Sequence, residues 1–163
     1  MATRARPKQG DLYEEDFYVW TEVQAEHLRA RRFAALDLAN LIEEVEGLGD
    51  AKKSAVLSNS NVVVEHLLKL QHSPATDPRA GWIDSIIEHR RRLGYDLTPR
   101  LRAILAERLP EVYEDARRIA ARRLRLHGEA AAAAALPATC PYTVDQITSD
   151  WWPDEDEPGQ EPG

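Results

Sequence analysis

The chain has 163 residues, 43% hydrophobic and 30% charged, with a formal net charge of −7. That length supports one substantial core and is short for two, since domains usually run to roughly 100–200 residues, so a single domain is expected. One cysteine, Cys140, excludes an intramolecular disulfide framework and a cysteine-rich zinc site, and it fits a reducing compartment.

No apolar run approaches the ~18 residues of a membrane span, and the amino end MATRARPKQG lacks the apolar stretch of a signal peptide. A cytoplasmic location without membrane association is therefore expected. The charge is unevenly spread. Residues 1–10 hold three basic and no acidic side chains, and residues 144–163 hold seven acidic and no basic ones. Between these tails, residues 11–50 carry 3 basic and 11 acidic groups, and residues 88–127 carry 11 basic and 6 acidic. Neutralisation of one half by the other accounts for this polarity within a Debye length of ~8 Å. An arginine face for nucleic acid is the less favoured alternative.

Apolar residues recur at helical spacing almost throughout, which predicts an all-α single-domain bundle of about six helices. The first is expected over residues 13–31, with Tyr13, Phe17, Trp20, Gln24 and Leu28 on one face. A second starts at Asp37, carries Leu38, Leu41, Ile42, Val45 and Leu48, and is closed by Gly47 and Gly49. Asp50 then caps a third over about 51–72, which Ser73, Pro74 and Pro78 stop. The fourth covers about 79–93, with Trp82, Ile83, Ile86 and Leu93, and ends at Gly94. Thr98-Pro99 has the order of a helix start, Pro110 is expected to split the next run into 99–109 and 110–127, and Gly128 ends it.

The alanine-rich stretch 129–135 is expected as a connector. From Leu136 to Pro153, Tyr142, Val144, Ile147, Trp151 and Trp152 supply apolar surface for an irregular C-terminal segment docked on the bundle, with Thr143 capping one turn. Residues 1–11 and 153–163 are expected to be disordered tails, basic and acidic respectively, flanking a helical domain over 12–152.

Placing residues at ~100° per position shows which polar groups share buried faces. Asp37, Asn40 and Glu44 edge the Leu41 stripe, Asn59 and His66 edge the third helix, and His89 and Arg90 fall beside Ile86 and Leu93. With short connections these helices become neighbours, so Asp37, Asn40, Glu44, His66 and Arg90 form a candidate polar cluster. Glu44 and His66 of this cluster, with the adjacent His89, are the candidate ligands for a divalent metal such as Zn²⁺ or Fe²⁺. The same groups offer a general base with an orienting carboxylate, or merely a mutually satisfied helix interface. No cofactor is expected, with a divalent metal as the alternative that the first of these readings would require.

Gln24 and His27 are read as rim residues, His72 and His127 as helix-end groups, and Cys140 as unactivated. The chain has no HExxH, no Glu-x-x-His pair, no GxGxxG, no Walker loop and no GxSxG. Arginines 90–92, 117–118 and 122–123 are interleaved with acidic residues and follow no helix-turn-helix signature, which reads as a solvated helix face.

The segments DFYVWTEVQAEHLRARRFAALDLANLIEEVEGLG, VVVEHLLKLQ, the Trp82/Arg90 helix, LPEVYEDARRIA and LPATCPYTVDQI resemble, in that order over about residues 13–148, the bacterial family called domain of unknown function 29. The resemblance implies an all-helical fold and a bacterial host, with no assigned activity. Its Leu-Asp, Asn-Leu-Ile-Glu-Glu and His-Leu-Leu-Lys patterns fall on Leu36-Asp37, Asn40 to Glu44 and His66 to Lys69. Family members tend to carry Gln-Arg where this chain has His89-Arg90, so Arg90 matches and His89 departs. The expected function is protein–protein interaction, with another protein or as a homo-oligomer, through helix faces and Trp151-Trp152. The alternatives are a metal-dependent or acid/base enzyme at the polar cluster, and weak nucleic-acid binding.

Overall fold

The computed structural model describes residues 9–153. Among them are seven α-helices, one 3₁₀ turn and no strand, so the fold is all-α. The helices are α1 (Gln9–Glu15), α2 (Phe17–Arg29), α3 (Leu38–His72), α4 (Arg79–Asp96), α5 (Pro99–Leu126), α6 (Ala130–Ala135) and α7 (Val144–Thr148), with the 3₁₀ turn at Phe33–Ala35. The expected basic tail lies outside the described residues except for 9–11, which open α1, and the expected acidic tail except for Pro153. The chain divides between Ala51 and Lys52 into two compact units.

In the N-terminal unit the helix expected over 13–31 is two helices, because Asp16 caps the second. Its Oδ1 accepts the Val19 N–H at 3.1 Å, satisfying one of the orphan amides of a new helix start. α2 ends on Arg31 in the left-handed region (φ 53°). Arg32 N–H reaches His27 O at 2.9 Å and Arg31 N–H reaches Leu28 O at 3.1 Å, the pairing that closes a helix when one residue turns left-handed.

α3 then passes without interruption through Gly47, Gly49 and Asp50, where a helix end is expected from sequence. Glycine costs a helix interior about 1 kcal/mol but removes no hydrogen bond, and neither glycine turns left-handed.

In the C-terminal unit the core joins Val63, Leu67 and Leu68 of α3 to Ile86 and Leu93 of α4 and Leu105, Ala116 and Ala120 of α5. α5 also continues through Pro110, contrary to the expected split. The missing N–H and ring clash cost ~3 kcal/mol, and burial of Leu105, Val112, Tyr113 and Leu124 on both sides offsets that at about 1.5–3 kcal/mol per large side chain.

Gly128 (φ 83°) closes α5 as expected. Residues 130–135, expected as a connector, are helical, with Ala133 buried and the Glu129 N–H tied to Leu124 O at 2.9 Å. Further on, Thr143 and Gln146 form a reciprocal capping box at the start of α7. Ile147 and Tyr142 are buried, and Trp151 and Trp152 pack half-buried on the core.

Candidate functional site

The polar residues singled out by periodicity take up three separate jobs. In the N-terminal unit Asp37 is a hub. Its Oδ2 accepts the Trp20 indole N–H at 3.2 Å and the Asn40 amide at 2.8 Å. Its own backbone N–H donates to Gln24 Oε1 at 2.9 Å. Gln24, expected at a rim, is 1% exposed. Tyr13 donates to Glu44 Oε1 at 2.6 Å, and that bond, more than burial, pushes the phenol up to about 12. These contacts pin α2 to the first turns of α3.

Arg90, in the C-terminal unit, does a second job. Its Nε donates to Ile147 O at 3.1 Å and one terminal nitrogen donates to Gln146 O at 2.7 Å and Trp151 O at 2.8 Å. Its guanidinium lies 5.0 Å from the Trp152 ring. A cation is favoured at a helix C-terminus, and Arg90 supplies one to α7.

The third group is His66, His89 and their neighbours. His89 Nδ1 lies 2.7 Å from Asn59 Oδ1. The Asn59 amide nitrogen is committed to Ala55 O at 2.7 Å, so Nδ1 carries the proton and donates. His66 is 9% exposed with no partner at Nδ1. Burial, then the Lys69 charge, lower its pKa to about 4, so it is neutral at pH 7. Among the described residues no three His, Cys, Asp or Glu side chains are grouped to hold a metal ion. Glu44 is engaged by Tyr13 in one unit, and His66 and His89 belong to the other.

One cluster escaped the periodicity argument. Glu65 and Lys69 are 3% and 5% exposed, with Lys69 Nζ 2.9 Å from Glu65 Oε1. Arg123 of α5 donates to the same oxygen at 2.7 Å. The ammonium lies 5.2 Å from the Trp82 ring centroid. Lys69, Trp82, Arg123 and Leu124 line an open cavity of about 750 Å³. The signal available in sequence was the Glu-Lys spacing of four, which ordinarily marks a solvated face.

Several other arginines are paired on the surface. Arg91 and Arg92 both bond Glu88, Arg108 bonds Glu111 and Arg118 bonds Asp115. Among the described residues, large apolar side chains are exposed chiefly in the N-terminal unit, which holds nine of the thirteen, from Phe17 to Leu48. No helix among the described residues is long and apolar enough to cross a membrane.

No curated protein and no solved structure matches this chain. The family model for Domain of unknown function DUF29 matches residues 12–152, and the chain belongs to that family.

Proposed function

We propose that this protein acts by protein–protein interaction in the cytoplasm, and that its N-terminal unit pairs with the same unit of a second copy. The observation that carries this is the open apolar face of α3. Leu38, Ile42, Val45 and Leu48 are each more than half exposed, and Phe17 and Tyr18 of α2 add to the surface. Soluble proteins seldom leave so many large apolar groups together without a partner. The Trp151-Trp152 segment is not available for this role, because it packs on its own unit. The single free cysteine supports the cytoplasmic placement.

Charge favours a second copy as the occupant. The basic residues between 11 and 50 are Arg29, Arg31 and Arg32, all at the turn between α2 and α3. Glu43, Glu46 and Asp50 lie further along α3, and Glu14 and Glu15 lie at the end of α1. A two-fold axis reverses one unit against the other. The basic turn of each copy then meets the acidic end of its mate while the apolar strips pair.

Sedimentation velocity from ~1 to 100 μM, a range that brackets micromolar association, is expected to show a monomer–dimer equilibrium. It should be abolished by Ile42→Asp with Val45→Asp at unchanged helicity. Chains carrying Arg29→Glu and Arg32→Glu, or Glu43→Arg and Glu46→Arg, should each be monomeric alone and form a heterodimer when mixed. A wild-type monomer at the highest concentration, or no rescue on mixing, would overturn the proposal.

A further inference from the structure

Lys69 carries a charge to a place where lysine is rarely found. It is 5% exposed, on a stretch of α3 that also buries Leu67, Leu68 and Leu70. A buried ammonium persists only where other groups compensate it. Glu65 does so in part, but its Oε1 also takes the Arg123 guanidinium. Within this trio one carboxylate thus serves two cations, while Asp77 and Glu129 bring two further carboxylates to other parts of the cavity lining. Burial lowers the pKa of Lys69, and the Glu65 bond only partly opposes this.

Both cations line the cavity of about 750 Å³, a volume within the ~300–1,000 Å³ of small-molecule sites. The half-buried Trp82 ring and Leu124 supply apolar wall. Arg123 retains unused donors, since the bond to Glu65 occupies one nitrogen of its fork and a guanidinium has five N–H groups. These features specify opposite requirements within one pocket, an oxyanion at one point and a flat apolar body beside it.

We propose that this cavity binds a small organic carboxylate, its oxygens taken by Lys69 and Arg123 and its apolar body laid against Trp82 and Leu124. Asp77 and Glu129 also line the cavity, so attraction for a carboxylate is confined to the Lys69–Arg123 point and any further negative charge on the ligand is repelled, which limits it to a monoanion. Glu129 has one oxygen buried without a partner, which adds to the carboxylate character of that wall. The Lys69–Arg123 pair fixes orientation, and Trp82 fixes the plane of the body.

The test uses phenylacetate as the probe and phenylacetamide as its neutral counterpart of the same shape, added to the full chain. The Trp82 indole N–H resonance, assigned with Trp82→Phe, is followed by NMR. Phenylacetate should shift it saturably, and the amide should bind at least ~10-fold more weakly, the factor that one lost charge-assisted contact of about 1.4 kcal/mol produces. Arg123→Gln should weaken phenylacetate by a similar factor and leave the amide unchanged. Lys69→Met should do the same, and because Lys69 is buried and Arg123 is half-exposed, the Arg123 variant carries the test if the Lys69 variant fails to fold. Absence of saturable binding, equal affinity for acid and amide, or indifference to Arg123→Gln would overturn the proposal.

Discussion

Replacing Arg90 by methionine keeps most of the side chain's aliphatic volume and removes its guanidinium. The carbonyls of Gln146, Ile147 and Trp151 then lose their donor. Hydrogen bonds to a charged group contribute about 1.5–3 kcal/mol each, but they are not additive. Desolvation of Arg90, which lowers its pKa, subtracts from the sum. The cation–π contact with Trp152 adds back about 1 kcal/mol.

The net loss works out at about 3 kcal/mol, a large share of the roughly 5–15 kcal/mol that stabilises a domain. Its consequence should be local. Freed carbonyls regain hydrogen bonds by reaching water, and that requires α7 to lift with Ile147, which is fully buried. Amide exchange at Ile147 and Ser149, whose N–H groups bond Thr143 O and Asp145 O, is therefore expected to accelerate about 100-fold, the equivalent of about 3 kcal/mol. Arg90→Lys should recover less than half of the protection, because a single ammonium cannot span three carbonyls. A loss of stability under about 1 kcal/mol with exchange unchanged would refute the view of Arg90 as the anchor of the C-terminal segment.

Two further outcomes are expected. A Cβ at Gly47 or Gly49 meets nothing within 4 Å, so Gly47→Ala and Gly49→Ala should each stabilise α3 by about 0.5–1 kcal/mol, read from urea midpoints at unchanged slope; destabilisation by either would mean that the helix needs a glycine there. His66 is neutral in the native state, with its pKa at about 4 against 6.5 unfolded. The stability it contributes is fully present above about pH 6.5 and declines as pH falls towards 4, by up to about 3 kcal/mol. His66→Gln should flatten that decline, the remainder coming from His72 and His89, whose pKa values burial also lowers. An unchanged slope would place the depressed titration elsewhere.

Helical class, the start at Thr98-Pro99, the stop at Gly128 and the cap at Thr143 were all legible, because each rests on backbone chemistry within four residues of the signal. The failures share a cause. Gly47, Gly49 and Pro110 act locally as helix breakers, but each carries a finite cost of roughly 1–3 kcal/mol. At Pro110 buried side chains one or two turns away cover it, and a propensity argument has no access to them. Asp16 erred in the opposite direction. A helical stripe ran smoothly past it, and only the carboxylate's bond to the Val19 amide reveals a boundary.

The candidate site shows a deeper limit. Angular position identifies which polar groups approach a buried face but not what they meet there. Asp37, Asn40 and Glu44 meet Trp20, Gln24 and Tyr13. Arg90 meets the carbonyls at the end of α7. In both places most of the polar groups presented find partners, Gln24 Nε2 and one terminal nitrogen of Arg90 being the buried exceptions, which is what stabilising contacts require. At Lys69 the arrangement differs, since two cations share one Glu65 oxygen beside an open cavity whose lining also carries Asp77 and Glu129. An unevenness of that kind costs stability, and a ligand of opposite charge is the means of removing it that the geometry leaves open. Lys69, which periodicity did not single out, is thus the residue whose burial most needs something beyond the chain itself.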